Sequence, residues 1–401
     1  MERLECAFCQ RRIPLDIFFP FCPTCHTPLL YSYQPGKRKR FHVEKSLPLE
    51  RFRDFLPLNK IDPKLSLGEG DTPLVRLSKI AGKLGLPPLW AKNEALNPSF
   101  SFKDRGTAVA IQKAVSLGVK KIGTVSTGNM AASTAAYGAR AGLETFVLLK
   151  EGTSVSSLLS AGIYGPRLIA VKGDYGELFR MSFSLGRKTG IYFMNSIDPF
   201  RIEGCKLTGF EVFGQLQNRA PSFVFVPLSA GGHLLGIMRS FDDLREAGLI
   251  HDYPVIVGVQ AVGCAPLARA FASGKSSYDR LSRARTIAHA ISNPAPAAGN
   301  LVLKWIRERD GLILAVSDRE MLAAQKMLAQ EEGIFCQPES ATSLAAVLKF
   351  RDRISLKKQD RIVLILTGSG LKSLKPLESQ KIRILQADLD NLEDKIRSFF
   401  A

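Results

Sequence analysis

Continuous apolar runs, rather than alternating ones, set the fold of this chain. Residues 122–125, 145–149, 168–171, 191–194, 223–226, 255–259 and 362–366 are each short and almost wholly hydrophobic. A strand with one wet face alternates apolar and polar residues, whereas an unbroken run reads as buried on both faces. Helices supply that cover when they lie on both sides of a parallel sheet. A small-residue helix is predicted from about Met130 to Ala141, and Ser317-Asp318-Arg319-Glu320 is a capping box that opens another. The pattern predicts an α/β protein with parallel sheets. At 401 residues the chain can bury one or two substantial cores.

Composition narrows the class. Hydrophobic content of 45% and charged content of 23% are ordinary for a globular protein. No stretch approaches the ~20 apolar residues of a membrane span. The start, Met1-Glu2-Arg3-Leu4-Glu5-Cys6, lacks the apolar core of a signal peptide, so the expected location is the cytoplasm. The net charge of +18 is spread along the chain, apart from Lys37-Arg38-Lys39-Arg40. A field of that sign assists capture of a doubly anionic metabolite. Nucleic acid is the rival partner, with Tyr31 and Tyr33 beside Lys37 as stacking residues.

Cysteine marks the first segment. Cys6-x-x-Cys9 is followed after twelve residues by Cys22-x-x-Cys25. Two such pairs suit a zinc ribbon in which four thiolates close a tetrahedral, structural Zn2+ site. Cys22-Pro23-Thr24-Cys25-His26 also fits a haem-attachment motif, but that reading leaves Cys6 and Cys9 unexplained. Near the other end, Ile382, Leu385, Leu389, Leu392, Ile396 and Phe399 recur by three and four. They predict an amphipathic helix packed on its own chain or across a dimer.

The run Asn97-Pro98-Ser99-Phe100-Ser101-Phe102-Lys103-Asp104-Arg105-Gly106 carries the chemistry. A lysine held behind aromatics at the start of a helix loses hydration, which lowers its pKa and makes it a nucleophile. Alone, Lys103 reads as a surface lysine at a helix N-terminus. It is accompanied, in order, by Gly68-Glu69-Gly70-Asp71-Thr72-Pro73-Leu74, Ser126-Thr127-Gly128-Asn129-Met130-Ala131-Ala132-Ser133, and Asn195-Ser196-Ile197-Asp198-Pro199-Phe200-Arg201-Ile202-Glu203-Gly204. Gln337-Pro338-Glu339-Ser340-Ala341 and Leu366-Thr367-Gly368-Ser369-Gly370-Leu371-Lys372 complete the series. This ordered set resembles the threonine synthase family, within the fold-type II enzymes that use pyridoxal 5'-phosphate, over about residues 65–373.

The resemblance implies a fold of two α/β domains with the cofactor between them. Residues 34–105 and 210–401 would form the larger domain, 106–209 the inserted smaller one, and 1–33 the ribbon. It implies Lys103 as the Schiff-base lysine. Ser229, Ala230, Gly231, Gly232 and His233 would form the phosphate loop, Thr367 would meet the ring nitrogen and Asn129 the 3'-oxygen. Ser126 and Thr127 would embrace the substrate carboxylate, and Asn195, Ser196 and Arg201 the phosphate of O-phosphohomoserine. The implied reaction is a γ-elimination followed by addition of water at Cβ, in a homodimer. A paralogue acting on another phosphorylated amino acid, such as a cysteate synthase taking O-phosphoserine and sulfite, is the alternative. Four positions depart from the family: Met130 replaces Thr, Ala230 replaces Asn, His233 replaces Asn and Ser369 replaces His. Two donors lost beside a dianion cost about 1–3 kcal/mol each unless replaced. His233 or Lys206 is the expected compensation.

Overall fold

The computed structural model of the chain describes residues 2–33, 39–153, 155–353, 356–377, 386 and 388–398. Three sheets organise them. The first is a small antiparallel sheet of β1 (Arg3–Glu5), β2 (Arg12–Pro14) and β3 (Leu30–Ser32), in the order β2-β1-β3. The short helix α1 (Pro48–Arg51) leads away from it.

A six-stranded sheet forms the largest layer. Its strands are β4 (Leu74–Arg76), β5 (Leu89–Asn93), β10 (Phe223–Pro227), β11 (Val255–Ala261), β12 (Leu312–Val316) and β13 (Ile362–Leu366), ordered β12-β11-β10-β13-β5-β4. All neighbours are parallel except the edge strand β4. The remaining sheet contains β6 (Lys121–Val125), β7 (Glu144–Lys150), β8 (Arg167–Val171) and β9 (Ile191–Phe193), all parallel, ordered β8-β7-β6-β9.

Helices cover these sheets in chain order: α2 (Ser78–Leu84), α3 (Lys103–Ser116), α4 (Asn129–Arg140), α5 (Val155–Gly162), α6 (Tyr175–Thr189) and α7 (Pro199–Gln215). There follow α8 (Gly232–Glu246), α9 (Pro266–Ala272), α10 (Gly299–Glu308), α11 (Asp318–Glu332) and α12 (Pro338–Phe350), while α13 (Leu392–Arg397) lies exposed near the C-terminus. Burial on both faces explains the unbroken apolar runs. Val224 and Val226 of β10 join one core while Phe225 joins the other. In β13, Val363 and Ile365 likewise face away from Ile362, Leu364 and Leu366. The capping box at Ser317 and Glu320 forms as read.

Two readings are corrected. Residues 168–171 form β8, but this strand is exposed because it is an outer edge with β7 on one side only. Its run is apolar without being buried, with Leu168 40% and Ile169 43% accessible. At the C-terminus, Ile382, Leu385 and Phe399 lie outside the described residues. Leu389, Leu392 and Ile396 are exposed, so they do not pack on the body of the chain as expected.

Candidate active site

Each parallel sheet has one place where the chain order reverses, and the two places face a common cleft. In the large sheet it lies between β10 and β13, and in the smaller one between β6 and β9. Loops leaving the carboxyl ends of strands diverge at such points and open a crevice for a ligand. Residues 126–129 after β6, Ser196 after β9, residues 228–233 after β10 and Thr367 after β13 all line the cleft, whose volume is about 1400 Å3.

Lys103 enters this cleft at the first turn of α3. The turn before it is clamped to the end of β13. Phe102 N–H donates to the Thr367 carbonyl at 3.1 Å, and Ser101 bridges Gly368. Asp104 accepts from the Ser99 N–H and hydroxyl at 2.6 Å each, and Lys372 donates to the Ser99 carbonyl at 2.8 Å. Lys103 Nζ lies 4.4 Å from the Phe102 ring centroid. Burial, and after it the Arg201 charge, push the Lys103 amine down to about 8. Arg201 is itself buried, donating to Thr107 Oγ1 at 2.7 Å and to the Lys103 carbonyl at 3.2 Å.

A buried ionic network holds this turn from behind. Arg105 donates to both oxygens of Glu94 at 2.5 and 2.8 Å and to both of Glu211 at 2.6 and 2.7 Å. Lys92 Nζ adds a second cation, 2.6 Å from Glu211 Oε2. Two cations thus balance two carboxylates, which is what makes such burial tolerable. The 68–74 motif belongs to this network. Gly70 N–H donates to Asn97, Asp71 N–H to Glu211 and the Thr72 hydroxyl to Glu94.

The 229–233 turn is a tight glycine turn packed against the loop after β9. Gly231 has φ +102°, and a Cβ on Gly232 would stand 2.2 Å from the Ser196 carbonyl oxygen. Helix α8 begins at Gly232 with no side-chain cap, and α4, after Ser126-Thr127-Gly128, has none either. By contrast α7 is capped by Asp198, which accepts from the Phe200 and Arg201 N–H groups. Uncapped N-termini retain donors and a positive dipole end for an anion. His233, in the first turn of α8, stacks on Phe102 at 3.8 Å between centroids, and neither ring nitrogen has a hydrogen-bond partner.

The remaining wall is polar and ordered. Thr367 Oγ1 lies 2.8 Å from Ser340 Oγ, and Asn129 donates to Gln337 Oε1 at 2.8 Å. An amine, two uncapped helix ends, a glycine cradle and a hydroxyl at a strand end are the groups that pyridoxal 5'-phosphate needs. The orphaned His233 nitrogens and the uncapped N–H groups at the start of α8 agree with a phosphate group there.

Three expectations change. Asn195 does not face the cleft: it donates to Ser182 at 3.0 Å and accepts from Val125 N–H at 2.9 Å, bracing β6 against the loop after β9. Lys206 cannot replace a lost phosphate donor. It lies on the far side of α7, donating to Asp243 at 2.7 Å and Tyr33 Oη at 3.0 Å, with Glu203 Oε2 at 2.6 Å. Ser369 does not line the cleft either, since its hydroxyl caps the turn at Leu371. Met130, Ala230 and His233 do line it. The sequence reading missed Cys205, Gln337, Glu339 and Lys372 as cleft residues. Gln337 and Lys372 sat in motifs already singled out, and their polarity between apolar runs was the available signal.

At the N-terminus the Cys6, Cys9, Cys22 and Cys25 sulfurs all lie within 4.8 Å of one another, and Cys9 Sγ is 3.7 Å from Cys22 Sγ. A tetrahedron with ~2.3 Å Zn–S bonds separates its sulfurs by about 3.8 Å, so the cluster suits a metal. His26 is not part of it. Tyr31 and Tyr33 are not a stacking platform. Their hydroxyls donate to Glu2 and Glu203, and Tyr31 packs on Phe200 with centroids 5.9 Å apart. Among the described residues no helix is long and apolar enough to cross a membrane.

Residues 65–368 match the family of pyridoxal-phosphate dependent enzymes. The chain is 38% identical over 348 residues to the threonine synthase of Methanocaldococcus jannaschii, covering 86% of each chain. It is 32% identical to that of Methanosarcina acetivorans, covering 99% of each. Its fold is similar to that of maize serine racemase, with a TM-score of 0.64 at 21% identity over 82% of this chain and 92% of the other. The processed form of threonine deaminase isoform 2 from Solanum lycopersicum also gives 0.64, at 22% identity over 77% and 88%. With its cleft at the two switch points and Lys103 at their meeting, the chain belongs to the pyridoxal-phosphate dependent enzymes and, within them, to the threonine synthase family.

Proposed function

We propose that the chain converts O-phospho-L-homoserine and water to L-threonine and phosphate. The observation that carries this is a desolvated Lys103 amine beside a buried Arg201, in a cleft onto which two uncapped helix N-termini open. When bound, the cofactor supplies an electron sink that acidifies the carbon atoms of the amino acid. Lys103 would hold its aldehyde, and the Lys103 amine is the group placed to move protons at Cα and Cβ. Burial lowers the amine to about 8, which raises its neutral fraction near neutral pH while leaving it basic enough to accept a proton. The 229–233 turn and the start of α8 would hold the cofactor phosphate, and Asn129 would meet the 3'-oxygen. Thr367 would meet the ring nitrogen, where a neutral hydroxyl cannot enforce full protonation as a carboxylate would.

Ser126 and Thr127 hold the substrate carboxylate at the α4 N-terminus. Ser196 and Arg201 hold the phosphate leaving from Cγ, where a guanidinium fork offsets the growing charge. Asn195 supports this wall from behind. The four cysteines hold a structural Zn2+, and 1–33, 34–105 with 210–401, and 106–209 act as three units of a cytoplasmic homodimer.

An absorbance spectrum with pyridoxal 5'-phosphate tests the reading, followed by O-phosphohomoserine with assays for phosphate and threonine. A visible band lost in Lys103→Ala, with both products formed, is expected. A band without turnover rejects this substrate. Met130 and Ala230, apolar where the family is polar, favour O-phosphoserine with sulfite as the second substrate pair. No band rejects the cofactor assignment itself.

A further inference from the structure

His233 is the least explained polar group in the cleft. Its imidazole is 8% exposed, and both nitrogens lack a partner. An unsatisfied buried polar group is expensive unless a ligand completes it. Its setting specifies the ligand. Phe102 covers one face of the ring at 3.8 Å with the planes only 11° apart, so the ring cannot turn away from the cleft without losing that contact. The charged groups facing it are cationic. Lys103 and Arg105 come from α3, and Arg201 of α7 stands next to Lys103. Beside Gly231 stand the apolar Val302 of α10 and Ala298 just before that helix. The Cys205 thiol on α7 is held protonated by burial, pushed up to about 11. Glu94 and Glu211 are already paired with Arg105. Among the described residues no carboxylate hydrogen-bonds to His233, and α8 offers its uncapped positive end at the same point.

The missing component is therefore an anion with several acceptor oxygens. We propose that His233 takes up a proton when a phosphate dianion docks at the start of α8, and then positions that phosphate as a cationic donor. The inference rests on the reading of this cleft as the site of a phosphate-bearing cofactor and substrate, and it adds that docking there is coupled to a proton. Without the phosphate, burial and then the Lys103 and Arg105 charges hold the imidazole well below its ordinary pKa. A docked dianion reverses the sign of the local field, which favours the imidazolium. By the same logic the histidine strengthens phosphate binding most at low pH. Its advantage fades as pH rises through the pKa of the complex.

Calorimetry in two phosphate-free buffers of different ionisation enthalpy counts the protons taken up. One arm adds pyridoxine 5'-phosphate to protein stripped of cofactor; this probe carries the phosphate but no aldehyde, so Lys103 chemistry is absent. The other adds O-phospho-L-homoserine to cofactor-loaded Lys103→Ala, which retains the phosphate sites. Greater proton uptake by the parent protein than by its His233→Asn counterpart is expected in one arm, and that arm identifies which phosphate is met. His233→Asn should bind that probe about tenfold more weakly at pH 6.5 and nearly equally at pH 9. His233→Gln repeats the comparison should the asparagine variant fail to fold. Equal proton counts with and without His233 in both arms overturn the inference while leaving the enzyme assignment intact. Failure of the parent protein to bind either probe overturns both.

Discussion

Arg105 Nη1 lies 2.6 Å from Glu211 Oε1, and neither side chain is reached by solvent. The pair joins α3, which begins with Lys103, to α7, which begins near Arg201, and Lys92 of β5 closes the same group. Removing one partner of a buried pair leaves the other charge uncompensated, at about 3–5 kcal/mol. Glu211→Ala leaves Lys92 without its carboxylate and Arg105 with Glu94 alone, so it is expected to lower stability by about that amount in denaturant titrations, with loss of cofactor retention. An unchanged midpoint would show that water reaches and solvates Arg105.

The Lys103 amine has a testable pH signature. Burial and Arg201 hold it near 8, against about 10.4 for an unperturbed lysine. The neutral amine attacks, so the rate of visible-band formation by cofactor-free protein should rise with pH and level off above about 8. Arg201→Met removes the second cause and moves the midpoint upward. A midpoint at the ordinary amine value would refute the desolvation argument.

Gly232 has no room for a side chain. A Cβ there would meet the Ser196 carbonyl at 2.2 Å, forcing apart the α8 N-terminus and the loop after β9. Overpacking of this kind costs about 1–3 kcal/mol, so Gly232→Ala should weaken cofactor binding by about tenfold or more. Fluorescence titration with pyridoxal 5'-phosphate measures it, and parental affinity would mean that the cradle is more pliable than its contacts imply.

How much of this was legible beforehand depended on where each residue's partners lie. Most of the buried strands were readable because double burial removes alternation, although β12 went unread, and Lys103 was readable because its motif is local. β5 was missed because Lys92 and Asn93 interrupt its apolar run. That lysine is tolerable only beside Glu211, which is remote in sequence. Asn195 looked like a ligand because its motif neighbours Ser196 and Arg201 do line the cleft, yet its side chain points to Ser182 and Val125. Lys206 was credited to the cleft because helical phase within α7 was not weighed against the Tyr33 and Asp243 contacts behind it.

The cysteine cluster predicts a single bound Zn2+ per chain, removable by chelation. The segment it shapes reaches several helices. Tyr31 carbonyl accepts from Arg239 of α8 at 3.1 Å, Glu2 pairs with Lys113 of α3, and Phe21 meets Phe183 of α6 with centroids 5.2 Å apart. Cys9→Ser should therefore lose the metal and lower the melting temperature. Elemental analysis and calorimetry check both, and full metal content in the variant would disprove the four-sulfur site.

Asn195 and Ser196 separate bracing from binding. Asn195 accepts from the N–H of Val125, a residue 3% exposed, so Asn195→Ala leaves a buried donor without its acceptor. The loss is expected to be about 1–3 kcal/mol of stability, with KM for the phosphorylated substrate little changed once the protein is folded. Ser196 lines the cleft, so Ser196→Ala should do the reverse, raising KM by about tenfold at near-parental stability, as a lost charge-assisted hydrogen bond would. Denaturant midpoints and initial rates on both variants decide the matter. If Asn195→Ala alone raised KM without loss of stability, the asparagine would have to swing into the cleft during turnover, and the brace would be only its resting position.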